Sequence, residues 1–424
     1  MMRKSILALA LLSQNIIAAE DVETLQQQLD QLKQDYNTRL QQLEQRLQTS
    51  SEKTSPKSTF NPDISIILAA RFAYFKNDPA NYRLNGFPAS NYYLSGQENT
   101  LGEKGLSLGE SELVMSSNID DKFYGQLTAA LHAHDGETNL ELEEAFIQTL
   151  GLGHGLTLKF GRFFSEIGYL NQQHIHAWDF ADEPLIYRGL FNSQYNDDGL
   201  QLSWLAPTSF YLNMGAELLK GGHFPSSGEH SGIGAYTFFA KTGGDFNIEN
   251  SWQTGLSYWK SNDVQQRPLL MGSMFSGKSQ ILGINAVWKY APNGNSKAQN
   301  FKLQTEFFEQ RDDGAYGEEI GSPLYNNTHR GGYIQGVYQF VPQWRIGLRY
   351  DRVESSYIDN GLIRQCCSSE KQIGQRSSIM LDWSNSEFSR FRLQFNRDRS
   401  NAEPDNQLFL QYIFSLGSHG AHSF

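Results

Sequence analysis

Beyond residue 61 the chain alternates apolar and polar residues in short runs, and two kinds of connection separate those runs. In 344–351, Trp344, Ile346, Leu348 and Tyr350 share one face, while Arg345, Gly347, Arg349 and Asp351 share the other. In 390–397, Phe391, Leu393 and Phe395 oppose Arg390, Arg392, Gln394 and Asn396. The run before the terminal Phe424 places Leu408, Leu410, Tyr412, Phe414 and Leu416 on one side. About sixteen such runs succeed one another, and a period of two is the mark of an extended strand with unlike faces. Odd-numbered runs end in long polar loops (77–104, 168–198, 221–234, 262–277, 312–329, 354–374, 398–405). Even-numbered runs end in short turns (119–122, 151–155, 207–209, 243–250, 292–299, 341–343, 384–386). The connection 135–139, after the third run, is the one break in this parity. In hydrocarbon every backbone N–H and C=O needs an internal partner, so strands with one apolar face must close into a barrel. The fold class expected is therefore an all-β transmembrane barrel of about 16 antiparallel strands.

Composition supports this reading. Aromatics make up 13%, Gly numbers 38 against 12 Pro, and the mean hydropathy is −0.51. No run of 18 apolar residues occurs after the first twenty positions, which excludes a helical membrane protein. The first 19 residues read as a secretory signal: Arg3 and Lys4, then an apolar stretch, then Ala18-Ala19. Residues 20–50 carry Val22, Leu25, Leu29, Leu32, Tyr36, Leu40, Leu43 and Leu47 at heptad spacing with one stutter, which predicts a self-associating coiled coil and a trimer. Residues 51–60 form a linker, and 61–424 the barrel. With sixteen strands both barrel ends lie on the short-turn side, which is periplasmic in outer-membrane barrels, so the coiled coil is expected in the periplasm. The net charge of −11 argues against nucleic acid as a partner. The two cysteines, Cys366 and Cys367, are adjacent in a loop, where a bridge would be strained and would close almost no chain.

The apolar faces set the register, and the register gives the charges expected to line the lumen. The acids are Glu110, Glu112, Glu144, Glu217, Glu306 and Asp382; the bases are Lys159, Lys241, Lys289, Lys302, Arg345, Arg349, Arg390 and Arg392. Glu110 and Glu112 share parity with Leu106 and Leu108, and Glu144 with Leu142 and Phe146, so a β-bulge is needed to turn those acids inward. Early strands are acid-rich and late strands base-rich. Opposed walls of this kind create a transverse field that orients dipolar solutes and admits small ions of both signs.

The long loop 168–198 is aromatic and charged, with His174, His176, Trp178, Asp179, Asp182, Glu183 and Arg188. A loop of this length and composition is expected to fold inward as a constriction. His132 and His134 form a His-X-His pair at the top of the third strand, and His174 and His176 repeat it with Asp179 nearby. Two imidazoles two residues apart in an extended segment face one way and can share a divalent ion, for which zinc is the natural candidate. The segment 102–109 lacks a phosphate-loop pattern, His-Glu-X-X-His is absent from the sequence, and Ser111, a neighbour of His132 on the adjacent strand, falls on the lipid face; no enzyme and no resident cofactor is expected.

The whole plan, over 20–424, resembles outer-membrane porins with a periplasmic coiled coil, namely the phosphate-selective porin O/P superfamily and the siderophore-porin type. Three segments (160–168, Phe-Gly-Arg-Phe-Phe-Ser-Glu-Ile-Gly; 174–179, His-Ile-His-Ala-Trp-Asp; and 414–422, Phe-Ser-Leu-Gly-Ser-His-Gly-Ala-His) are similar to a zinc-regulated outer-membrane porin group. The chain departs from phosphate-selective porins in lacking a ladder of basic residues down the lumen. It departs from TonB-dependent receptors in strand number and in lacking a plug domain. The resemblance implies an outer-membrane location in a Gram-negative bacterium, lipid and lipopolysaccharide around the wall, a homotrimer, and passive uptake of a small hydrophilic solute. Two alternatives stand beside it: a metal or metallophore uptake channel, and a structural barrel tethering the outer membrane to a periplasmic partner.

Overall fold

The computed structural model describes residues 62–87, 101–134, 137–268, 274–316, 324–357 and 371–417. The expected signal peptide, coiled coil and linker, the cysteine pair and the chain's last seven residues lie outside the described residues. Strands are named in chain order: β1 Asp63–Phe75, β2 in two segments Gly105–Leu108 and Ser111–Asn118, β3 Phe123–His134, β4 Glu137–Thr149, β5 Leu156–Phe164, β6 Asn196–Leu205, β7 Tyr211–Leu219 and β8 Ala235–Asn247. They continue as β9 Asn250–Pro268, β10 Met274–Tyr290, β11 Asn300–Tyr316, β12 Leu324–Val341, β13 Trp344–Tyr357, β14 Gln372–Ser386, β15 Ser389–Asp398 and β16 Asp405–Gly417. Each strand pairs antiparallel with the next, and β16 pairs with β1 from Ser65 opposite Gly417 to Phe75 opposite Gln407. The sheet is a closed sixteen-stranded barrel without a free edge, which is how a barrel satisfies its backbone in lipid.

The two faces divide as the alternation predicts. Leu256, Leu282, Ile284, Ile334, Leu348 and Ile379 stand exposed on the outer wall. Between them, Ser257, Gln335, Arg349 and Ser378 are buried on the inner face. Aromatics gather at the short-turn end, where Trp252 opposes Trp288 and the row Trp344, Trp383, Phe391, Tyr412 crosses four strands. Such a girdle sits at a membrane–water interface.

Three expectations change. The loops expected at 262–277 and 312–329 are largely strand, and the one expected at 354–374 is strand at both ends: β9, β11 and β13 continue to Pro268, Tyr316 and Tyr357 on the way out, and β10, β12 and β14 begin at Met274, Leu324 and Gln372. Apolar alternation stops where lipid stops, but ladder hydrogen bonding does not, so polar strand residues read as loop. The inward loop begins and ends three residues earlier than expected, at 165 and 195, because β5 stops at Phe164 and β6 begins at Asn196. The short connection after β3 is shorter still, with His134 opposite Glu137 in a tight hairpin.

The bulges that the acids required are present. Leu108 opposes Ala70 but Glu112 opposes Ile67, so one extra residue enters β2 at Gly109–Glu110. Thr128 opposes Glu144 but Ala129 opposes Leu142, so Glu143 is an extra residue in β4. Each bulge reverses the faces of the residues beyond it. Leu106 and Leu142 are consequently exposed, while Glu112, Glu143 and Glu144 are buried. Ser111, expected on the lipid face, is fully buried: its Oγ accepts from the Ala69 N–H at 3.2 Å and donates to the Gly109 carbonyl at 3.2 Å, bracing the bulge. Gly161 of β5 faces this region with φ +127°, and a Cβ there would lie 2.2 Å from the Ala145 carbonyl oxygen. Gly161→Ala should therefore destabilise the barrel by about 1–3 kcal/mol, read as a lower urea midpoint for unfolding from detergent or lipid.

Candidate functional site in the lumen

The segment 165–195 crosses the interior of the barrel. It contains 3-10 turns at Leu170–Gln172 and Ile175–Ala177, and a helix, α1, at Leu185–Phe191, all of whose residues are buried. Seven residues are too few to hold a helix by propensity, so packing sustains it. Tyr187 and Phe191 meet Phe308 of β11 edge-on, with ring centroids 5.6 and 5.4 Å apart. The first loop joins from the other side: Tyr82, Leu84 and Phe87 are buried in the same apolar cluster. Gly189 of α1 lies so close to Phe87 that a Cβ would be 2.4 Å from its ring.

Most of the charged residues expected to line the lumen make contacts with this segment. Glu306 of β11 accepts from the backbone N–H groups of Tyr169 (2.7 Å) and Leu170 (3.0 Å) and from the hydroxyls of Tyr187 (3.1 Å) and Tyr333 (2.6 Å). Glu217 of β7 accepts from Ser165 Oγ (2.5 Å), the Glu166 N–H (2.8 Å) and Gln201 Nε2 (2.9 Å). Lys241 pairs with Glu166. Asp179 lies between Lys302 (2.5 Å) and Arg345 (3.2 Å), and Arg345 also pairs with Asp382 (2.5 Å). Burial opposes the charge of Asp179, but Lys302 and Arg345 outweigh it and hold the carboxyl below the usual range. Arg390 donates to the carbonyls of His176 (2.5 Å) and Trp178 (3.0 Å), and Arg392 to Trp178 and to Gln411. Lys159 instead rests over the rings of Phe146 and Phe163 at 4.7 and 5.5 Å.

Asp182 is the most heavily bonded loop carboxylate. It takes Arg349 at 2.6 Å, Arg376 at 2.9 Å, and the side-chain amides of Gln394 and Asn396 at 2.7 Å each. Asp351 joins the same two arginines at 3.1 and 3.3 Å and accepts from the Leu185 N–H, at the start of α1, at 3.0 Å. Glu183 and Arg188 pair with each other at 2.6 Å. Arg376 and Asp351 were not among the expected pore-lining residues, although both share parity with residues that were, Asp382 and Arg349.

The two histidines of the loop do come together, their rings stacked with centroids 5.8 Å apart. Their partners differ from those expected. His174 Nδ1 lies 3.2 Å from Glu112 and 3.5 Å from Glu143, and Nε2 lies 3.1 Å from Glu144. His176 Nδ1 lies 2.7 Å from Glu112. Asp179 is engaged with Lys302 and Arg345 instead. Burial disfavours protonation of His174, but Glu112, Glu143 and Glu144 outweigh it and hold its pKa well above the usual histidine value. Glu143 was missed by the sequence reading, which took Glu144 as the inward acid of β4; the bulge buries both. Glu110 sits in the break of β2 with one carboxylate oxygen buried. The backbones of His132 and His134 lie at the end of β3; their side chains lie outside the described residues.

Beneath the loop, toward the short-turn end, is a cavity of about 290 Å³ bounded by Lys289, Lys302, Arg345 and Arg390 on the wall and by His174 and Asp179 on the loop.

No known protein-family profile matches the chain. The barrel resembles solved outer-membrane proteins at low sequence identity. OmpT of Vibrio cholerae superposes with TM-score 0.52 at 8% identity, covering 86% of this chain and 100% of its own. OmpF of Salmonella typhi, in complex with daunomycin, gives 0.52 at 11%, covering 85% and 99%. The outer membrane channel DcaP of Acinetobacter baumannii gives 0.50 at 13%, covering 84% and 97%. The fold is a porin-type barrel. An uncharacterized protein of Aquifex aeolicus (strain VF5) is 30% identical over 413 residues, covering 90% of this chain and 84% of the relative, and the chain belongs to the same family as that protein.

Proposed function

We propose that the protein is an outer-membrane channel through which a small hydrophilic solute diffuses, with the segment 165–195 setting the bore. The observation that carries this reading is the closed barrel with a polar inner face, crossed by a loop that is ion-paired to both walls. A transverse field runs from the glutamates of β2, β4 and β7 to the arginines of β13 to β15, and the loop matches it, with histidines toward the acids and aspartates toward the bases. A pore of this kind orients dipolar solutes without strong preference for ion sign. The apolar outer wall and the aromatic girdle support a location in outer-membrane lipid and lipopolysaccharide. One of the OmpT structures is a trimer form, which supports a homotrimer here.

The test is single-channel recording of the purified protein in planar bilayers. Steady conductance in triplet steps is expected; its absence would overturn the channel reading and favour a tethering barrel. The membrane assignment has its own test. Leu348→Arg, at a position 62% exposed on the outer wall, should lower folding stability in lipid vesicles by about 2–4 kcal/mol. A second reading, uptake of a metal ion, is favoured by the side-by-side histidines. It predicts block by micromolar zinc that is lost in a His174→Ala/His176→Ala variant.

A further inference from the structure

We infer that Glu112, Glu143 and His174 form a binding site for one divalent transition-metal ion, a resident strut that clamps the lumen loop to the acid-rich wall. Three separate elements supply the ligands: β2, β4 and the loop. In β2 a bulge turns Glu112 inward, and in β4 Glu143 is itself the residue that a bulge inserts; bulges of this kind re-aim side chains at functional sites. Glu112 Oε2, Glu143 Oε2 and His174 Nδ1 are all buried and within ion-pair distance, yet none of the three has an aligned hydrogen-bond partner. Three buried polar atoms that face one another without aligned hydrogen bonds are better satisfied by a shared ligand.

The spacing fits an ion. A tetrahedral metal with bonds of about 2.0–2.1 Å sets its ligand atoms about 3.3 Å apart. His174 Nδ1 lies 3.2 Å from Glu112 Oε2 and 3.5 Å from Glu143 Oε2, and the three atoms lie within 4.8 Å of one another. The surrounding shell also fits. A metal-bound imidazole usually gives its other N–H to a carboxylate, which fixes the tautomer; His174 Nε2 meets Glu144 at 3.1 Å. The second oxygen of Glu112 is held by His176 at 2.7 Å.

The donor set selects the class of ion. One imidazole and two carboxylates suit a borderline divalent metal such as Zn2+ and not a hard, all-oxygen ion such as Ca2+. Charge points the same way. Among the described residues, the basic side chains within 4.0 Å of Glu112, Glu143 and Glu144 are His174 and His176. The site is also enclosed, with Glu112 fully buried, Glu143 at 10% and His174 at 15% side-chain exposure, which suits a retained ion better than a passing one.

The experiment strips the full-length protein in detergent with a chelator, adds ZnCl2, removes free ion and measures retained zinc per chain. About one Zn2+ per chain is expected, with tenfold or weaker affinity in Glu112→Gln/Glu143→Gln and in His174→Gln. The near-isosteric Gln variants keep the barrel's shape, and resistance to heat in detergent checks that they fold. Zinc should also slow chymotrypsin cleavage of the loop at Trp178 and Phe180 in the native chain but not in the variants. Failure to retain zinc would overturn the inference and leave a protonated histidine among carboxylates. Retention with unchanged affinity in the variants would overturn it too, placing the ion elsewhere. Neither readout needs current to flow, so failure of the channel reading would remain distinguishable.

Discussion

Asp182→Ala should lower stability by about 3–5 kcal/mol and release the middle of the lumen loop from the base-rich wall. The carboxylate is 7% exposed and is shared by Arg349, Arg376, Gln394 and Asn396. Deleting it leaves two buried guanidiniums competing for Asp351 and two amides without their acceptor. Removing one partner of a buried pair leaves the other charge uncompensated, which is why the loss far exceeds that of a surface ion pair. Urea unfolding of the native chain and the variant would give the difference, and chymotrypsin would report the loosened loop. If the channel reading is right, single-channel conductance should rise as well. Unchanged unfolding would show that the network does not hold the loop.

The same residue sets a pH dependence. Burial raises the cost of the charged form, but Arg376, Arg349 and Arg188 outweigh it and hold the Asp182 carboxyl below the ordinary aspartate range. A folded pKa below the unfolded value of about 3.9 contributes stability that is complete above that value and lost as pH falls through the folded one. The stability gap between the native chain and Asp182→Asn should therefore stay constant from pH 7 to 5. It should shrink only in strong acid.

Glu306→Ala should be comparably damaging near the start of the loop. Four donors converge on this carboxylate: two backbone N–H groups where the loop begins, and the hydroxyls of Tyr187 and Tyr333. At about 1 kcal/mol for each orphaned buried donor, the loss is about 4 kcal/mol. Glu306→Gln should lose about half as much, because one amide oxygen still accepts while the NH2 group meets donors. The damage should extend to α1, since Tyr187 is both a donor to Glu306 and part of the apolar cluster against Phe308. Near-ultraviolet circular dichroism would track the loss of fixed tyrosine packing. A Gln variant as unstable as the Ala variant would contradict the donor count.

The inward charges thus act first as anchors. Glu217, Glu306 and Asp351 on the wall receive the loop's backbone N–H groups, while Arg390 and Arg392 take its carbonyls. A loop crossing a lumen loses solvent for its backbone, and its polar groups must be met by the wall.

Much of this was legible in the sequence because a strand's period of two and the demand for a closed backbone ladder are local rules. Arg345, Arg349, Arg390 and Arg392 face inward because Ile346, Leu348, Phe391 and Leu393 face out. Loop parity, apart from its break after β3, agreed with the antiparallel order of the strands, and the shared parity of Glu110 and Glu112 with Leu106 and Leu108 already demanded a bulge. The length of β9 to β14 was not legible, because hydrogen-bonded pairing beyond the apolar belt leaves no hydrophobic trace. Nor was the pairing of Asp179 with Lys302 and Arg345, and of His174 with Glu112 and Glu143, since those partners lie between 31 and 166 positions apart in the chain. Alternation specifies which face a residue occupies. Only closure of the barrel around the folded loop decides which faces meet, because that depends on where one segment crosses the lumen and not on any local pattern.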